Sequence, residues 1–477
     1  MKEGYIPKEQ RKKILFLCDD IRSHSGVGTM AREIVLGTAH QFNWVNLGAA
    51  INHPDIGKRL DLSGDTNTHT GLEDSSVTLY PFNGYGNPMV LRQLIELEKP
   101  DVVLLFTDPR YFTWVFDIEN EIRKSCMLAY LEIWDCEPGP LYNFNYYDSC
   151  DLLMAISKQT KALTEMVLGE NAKDKVIRYV PHGINENHFY PVDKEKEEFK
   201  EFKKFILGDR EYDFVLGFNS RNIRRKSIPD TMLAFKAFLD TLPEDKADKC
   251  CLVLHTQPID DNGTNLYAVR DLIFGDKGET NVIFSDRRGS VEYMNHFYNL
   301  LDGCILISSN EGWGLSLTEA MMSGKMIIAN VTGGMQDQMR FTNEQGKWIE
   351  FDENFSTNHL GRYRNCGEWA IPVFPSNISL QGSVPTPYIF DDRVDFRDAA
   401  KAIRELYDMP KEERERRGLE ARKWVTSDES MMSADNMCKN VIDAIHTGLK
   451  SLPTRKQYHL IKVKDLPKKT LKTIVSI

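Results

Sequence analysis

The chain has 477 residues, 41% apolar and 27% charged, which predicts two or three domains of ordinary globular composition rather than one core. A formal charge of −10 argues against a strongly cationic nucleic-acid binder. Nine scattered cysteines without a CxxC pair read as reduced thiols, not as a metal site.

The start, MKEGYIPKEQRKK, has no apolar core of signal-peptide kind. No run of 18 apolar residues follows it, so no membrane span and a soluble, cytoplasmic protein are expected. ILFLC (14–18) reads as a buried strand and MAREIVLGTA (30–39) as a helix. Further strands are expected at 42–48, 101–107, 127–133, 152–157 and 176–181, an alternation that implies a parallel sheet covered by helices. DKEKEEFKEFKKF (193–205) has no sheet character and is the expected hinge. The pattern then restarts: strands at 213–220, 250–256, 281–286, 303–309 and 325–331, with a helix at 227–242. Residues 344–390, rich in Pro, Asn, Ser and Tyr, read as a loop or insertion, and 391–450 as mostly helical.

The expected organisation is therefore a domain at 1–195, a second at 196–450 with an insertion at 344–390, and a tail at 451–477. The fold class is α/β, two doubly wound parallel-sheet domains of Rossmann-like kind, with ligand between them at the carboxyl ends of the strands. The tail carries seven Lys or Arg against Asp465 alone, and RKK (11–13) is basic too. Such runs read first as solvated surface and second as contacts to a polyanion.

GVGTMA (26–31) satisfies G-x-G-x-x-A, but DDIRSHS separates strand from glycines, and FNWVNLGAA ends without the carboxylate that NAD needs. What remains is a pair of glycines, Gly26 and Gly28, that let backbone amides approach an anion at a helix start, or a tight loop that binds nothing. SRNIRRKS (220–227) sets Arg221 and Lys226 five apart at a strand end, with Arg224 and Arg225 between, a pattern suited to a diphosphate. In SSNEGWGLSLTEAMMSG, Glu311 leaves a strand and Glu319 lies about one turn into the next helix. Both can face one pocket and accept hydrogen bonds from sugar and ribose hydroxyls. For Glu319 the competing role is stabilisation of the helix dipole, and glycosidase-style paired acids are a further reading that nothing else in the chain supports.

These stretches resemble the retaining nucleotide-sugar glycosyltransferases of family four, which have the GT-B fold. EGWGLSLTEAMMSGKMIIANVTGG, SRNIRRKSIPDTMLAFKAF, VPHGINENHFYP (180–191), MAISKQTKAL (154–163) and SHSGVG match family blocks in order and frame most of 14–450. The resemblance implies that Glu319 holds the donor ribose and Glu311 the donor sugar. It implies that Arg221 and Lys226 neutralise the diphosphate and that Gly26 and Gly28 admit it. The backbone from Gly312 through Trp313 and Gly314 to Leu315 would border the sugar, with the Trp313 side chain itself in the core. Gly333 and Gly334 would form a further turn in the cleft, or serve structure alone. No metal and no cofactor are implied; a nucleotide sugar is the co-substrate, with UDP as the family default.

One departure concerns the N-terminal domain, where family members often carry a histidine and this chain reads LLFTDPRYF (104–112). Asp108 lies nearest that place, as an acceptor-orienting catalytic residue or as a cap on the turn before Pro109. His24 in the glycine loop, and Glu132 and Asp135 at another strand end, are further polar candidates there, and His182 reads as structural. The wording of the N-terminal domain also looks like glycosyltransferases of large tailed bacteriophages, some of which glycosylate hydroxymethylated cytosine in DNA. Hydroxymethylated duplex DNA is accordingly the acceptor this resemblance implies. Polysaccharide, lipid and small-molecule acceptors, and a non-catalytic nucleotide-sugar-binding protein, are the alternatives.

Overall fold

Strand β1 (Lys12–Asp19) is buried from Ile14 onward, as a strand covered on both faces must be. The computed structural model describes residues 4–49, 53–287, 289–352 and 358–452. In its first half β1 is followed by β2 (Phe42–Ala49), β3 (Leu60–Asp61), β4 (Val77–Pro81), β5 (Val102–Phe106), β6 (Met127–Glu132), β7 (Leu152–Ala155) and β8 (Val176–Tyr179). They form one sheet in the order β3-β4-β2-β1-β5-β6-β7-β8, parallel except for the β3–β4 pair. Ile14 lies beside both Trp44 and Val102, so β1 is central and the chain reverses direction across it. Phe16, Trp44 and Phe106 pack on one face with Met30 and Ile34 of the helix Gly26–Thr38, while Leu15, Leu17 and Val103 pack on the other.

The second sheet holds β9 (Phe214–Asn219), β10 (Cys250–His255), β11 (Val282–Ser285), β12 (Gly303–Leu306), β13 (Met326–Asn330) and β14 (Ala370–Val373). Their order is β11-β10-β9-β12-β13-β14 and every pair is parallel. Each sheet thus has a switch point, β1/β5 in one and β9/β12 in the other, where a doubly wound sheet opens a crevice. Both halves are the doubly wound domains expected.

Three local expectations change. The charged stretch expected as a hinge is a helix, Glu197–Leu207, which buries Phe199, Phe202 and Leu207 and sets Phe202 edge-to-face with Tyr293, 5.0 Å between centroids. The chain crosses between domains just before it, where Ile184 and residues 432–434 run side by side: Ile184 N–H donates to Met432 O and Ala434 N–H to Ile184 O, both 3.0 Å. The stretch 344–390 is not loop throughout. It supplies β14 to the sheet and, with the residues after it, a hairpin of β15 (Asn377–Ser383) and β16 (Thr386–Arg393). Finally, the helix Ala434–Lys450 follows the second domain in sequence but lies on the first. Cys438 sits where a Cβ on Gly37 would come within 2.2 Å of its sulfur, and His446 packs on Phe42 at 5.2 Å. The basic tail from 453 onward lies outside the described residues.

Candidate active site in the interdomain cleft

The loops after β1, β9 and β12 meet across the cleft. Gly26 opens the helix Gly26–Thr38 so close to Leu315 that an added Cβ would stand 3.3 Å from the leucine methyl. A Cβ on Gly312 would lie 2.9 Å from the carbonyl oxygen of Ile133. The two domains therefore touch at the glycine-rich loop itself.

Ser25 caps the first of these helices: its hydroxyl accepts from Gly28 N–H at 2.9 Å and donates to Asp19. Gly28 differs from its expected role, because its amide is engaged by the cap, and a Cβ there would meet Ser23 Oγ at 2.0 Å. Gly26 alone of the pair stays exposed at the cleft. A cavity of about 870 Å³ opens here, with Asp19, His24 and Ser25 on one side and Asn219, Arg221 and Arg287 on the other.

Lys226 and Glu311 form a buried ion pair, both 7% exposed, and Arg225 Nη1 reaches the same carboxylate at 3.3 Å and Asn310 O at 2.7 Å. Burial would raise the Glu311 carboxyl, but the Lys226 and Arg225 cations overcome it and hold it below its ordinary value. Burial pulls the Lys226 ammonium down to about 8 even against Glu311. Arg221 does not join them. Its side chain is 63% exposed at the cavity rim, where Nε donates to Asp260 Oδ2 at 2.7 Å.

Glu319 sits in the helix Leu315–Met322, whose entry needs Gly314 at φ 88°. Its carboxylate accepts from Tyr298 Oη at 2.5 Å, and that hydroxyl accepts from Asn219 Nδ2 at 2.7 Å. Burial raises the Glu319 carboxyl to about 7. Through Asn219 this chain ends on the lining of the cavity. The two carboxylates expected to share a pocket each have their own partner: Glu311 is held by Lys226 and Arg225, and Glu319 by Tyr298. Sequence reasoning passed over Asn219 and Tyr298; the asparagine at a strand end was a signal, the tyrosine in a helix was not.

The remaining expected residues divide by what they touch. Trp313 is buried against His182, 6.3 Å between centroids, and its indole N–H donates to Thr318 Oγ1 at 3.0 Å, so only its backbone is left for a ligand. Asp108 caps its turn: it accepts from Arg110 N–H at 2.9 Å and pairs with the guanidinium at 2.5 Å. Glu132 is buried under Thr164, which donates to it at 2.6 Å. His182 is buried and pushed down to about 3 by loss of solvent, the state of a neutral packing residue. Gly333 and Gly334 brace the loop: added Cβ atoms would fall 2.1 Å from Glu311 O and 2.2 Å from Gly312 O. With φ at 52° as well, Gly333→Ala should cost about 3 kcal/mol or more and lower the melting temperature accordingly. Wild-type melting would show that the loop does not depend on this approach.

Residues 199–355 match the family model described as Glycosyl transferases group 1. That span holds Arg221, Lys226, Glu311 and Glu319. No curated protein matches the sequence. Among solved structures, Anabaena Alr3699/HepE in complex with UDP-glucose is 13% identical with a TM-score of 0.62, over 91% of this chain and 99% of that one. Sucrose-phosphate synthase from Thermosynechococcus elongatus is 15% identical with a TM-score of 0.61, over 93% and 100%. The E. coli trehalose-6-phosphate structure bound with UDP-2-fluoro glucose is 11% identical with a TM-score of 0.62, again over 93% and 100%. Likeness across nearly the whole of both chains at so low an identity establishes the fold: two Rossmann-like domains in the GT-B arrangement.

Proposed function

We propose that the chain is a retaining glycosyltransferase that moves a sugar from a UDP-sugar to a hydroxyl acceptor. The observation that carries this is the Lys226–Glu311 pair together with the Glu319–Tyr298–Asn219 chain, both inside the span that matches group 1 glycosyl transferases. The structural relatives bound to UDP-glucose and UDP-2-fluoro glucose support the choice of donor.

In this reading donor binding divides the ion pair. The diphosphate takes the Lys226 ammonium, with Arg221 at the rim, and the freed Glu311 accepts from sugar hydroxyls while Glu319 accepts from the ribose. As the bond from the anomeric carbon to the diphosphate breaks, negative charge grows on the leaving oxygen. A fixed cation stabilises that charge more than it stabilises the bound donor. The acceptor oxygen bonds to the same carbon from the side the diphosphate leaves, its proton passing to the departing phosphate, and configuration is retained.

A DNA acceptor gains no support. The basic start is consumed in ion pairs, Arg11 with Asp74 and Lys12 with Asp101 at 2.7 Å, and Lys13 with Glu98 at 3.1 Å. Among the described residues no helix is long and apolar enough to cross a membrane. Titration with UDP and UDP-sugars, followed by a UDP-release assay, tests the reading. Binding with release is expected. Binding without release under every acceptor would instead identify a nucleotide-sugar sensor.

A further inference from the structure

A second cavity, of about 850 Å³, shares no lining residue with the first. Its walls come from the N-domain loops after β5 and β6, from the loop after β9, and from the hairpin β15–β16. The hairpin is tied to both domains. On the N-terminal side Phe390 N–H donates to Glu137 O at 2.5 Å and Tyr142 Oη donates to Tyr388 O at 2.9 Å. On the C-terminal side Asp392 N–H donates to Ser309 O at 3.0 Å, and its carboxylate accepts from Thr332 at 2.5 Å and Asn358 at 2.8 Å. A strap laced this way roofs a chamber between the domains.

The chamber adjoins the donor side. Ser309 and Asn310 line it, and the next residue, Glu311, is the carboxylate paired with Lys226. Arg225 lines it too while holding Asn310 O and Glu311. A ligand in the chamber would thus be one residue along the chain from Glu311 and in contact with the arginine that holds it.

Its charges cancel. Asp108 pairs with Arg110 and Asp391 with Arg393, at 2.5 and 3.2 Å, which leaves Asp135 and Asp230 to balance Arg224 and Arg225. A polyanion needs a surplus of cations, which this lining does not have. Between the ion pairs stand amides and hydroxyls such as Thr264, Gln381 and Ser383, against an apolar patch of Trp134 and Ile389. Fixed hydrogen-bonding groups around an apolar wall, in a volume usual for small-molecule sites, suit a ring that presents hydroxyls at its edge and C–H groups on its face.

We propose that this hairpin-roofed chamber is the acceptor site and that its ligand is a neutral, hydroxyl-rich saccharide or glycoside. The inference rests on the glycosyltransferase reading above and names its substrate class. Asp135, which lines the chamber together with Arg225, is the carboxylate that holds the attacking hydroxyl in this reading.

The test uses the full chain with UDP-glucose and three kinds of probe: neutral glycosides (methyl glucoside, maltose, cellobiose, lactose), a sugar phosphate, and duplex DNA containing 5-hydroxymethylcytosine. Transfer is read by mass, binding by saturation-transfer NMR. Ser383→Trp and Thr264→Trp, which line the chamber at the hairpin and away from it, are measured beside the wild type. Expected are binding of and transfer to a neutral probe, with acceptor KM raised about tenfold or more in both variants and UDP affinity unchanged. Transfer only to a charged probe overturns the proposal. So does the absence of any neutral probe from both readouts, or wild-type acceptor KM in both variants. In those cases UDP binding and release persist and the parent reading stands. Loss of UDP binding and release in the wild type would remove both.

Discussion

Lys226→Met should lower kcat/KM for UDP release by about 100- to 1000-fold, the scale on which one fixed electrostatic group acts on a leaving oxyanion. Methionine keeps most of the buried volume and removes only the cation. Part of any loss could come from instability, because Glu311 would keep its charge in a buried site, and breaking a buried pair costs about 3–5 kcal/mol. Arg225, at 3.3 Å from the same carboxylate, softens that cost. The double variant Lys226→Met/Glu311→Gln isolates the stability part, since Glu311→Gln by itself also removes a sugar ligand. It leaves no unpaired carboxylate, so its melting temperature should recover toward wild type while turnover stays lost. If the single variant keeps a rate within about threefold of wild type, about 0.6 kcal/mol, Lys226 does not touch the leaving group.

The contrast between Lys226 and Arg221 shows what the sequence could tell. Two cations five residues apart after a strand are legible as a motif, but their separate fates depend on residues remote in sequence. Asp260 draws Arg221 to the rim and Glu311 draws Lys226 inward. The long buried strands were legible for the same local reason: ILFLC or DVVLLFT offers no polar face, so only a doubly covered strand fits. Short or mixed segments were not. β14 is four residues, AIPV, with a proline inside, and it is a strand because β13 lies beside it. The helix Glu197–Leu207 hid behind its charges, since its buried face shows only Phe199, Phe202 and Leu207 among Lys and Glu residues. The hairpin β15–β16 has mostly exposed residues on its first strand, so its place depends on contacts such as Tyr142 with Tyr388 that no local pattern encodes.

The pH profile of kcat/KM should be a narrow bell, and both limbs follow from burial. Glu319 is raised to about 7, so below that pH it carries a proton and loses the charge that makes it a strong acceptor for the ribose hydroxyls beside Tyr298. Activity should fall as pH drops below about 7. Lys226 is lowered to about 8, so above that pH it loses the charge the diphosphate needs, and activity should fall again. Glu319→Gln should erase the acid limb at a lower plateau and leave the alkaline limb in place. An acid limb that survives in that variant would assign it to another group. Stability moves the opposite way from activity on the acid side. The folded Glu319 holds its proton up to about 7 whereas an unfolded one releases it near 4.5, so between those values the folded state binds more protons and loses stability as pH rises. The ionised carboxylate that serves the ribose is therefore held at a cost to the fold, and Glu319→Gln should flatten that decline in a melting series across the same window.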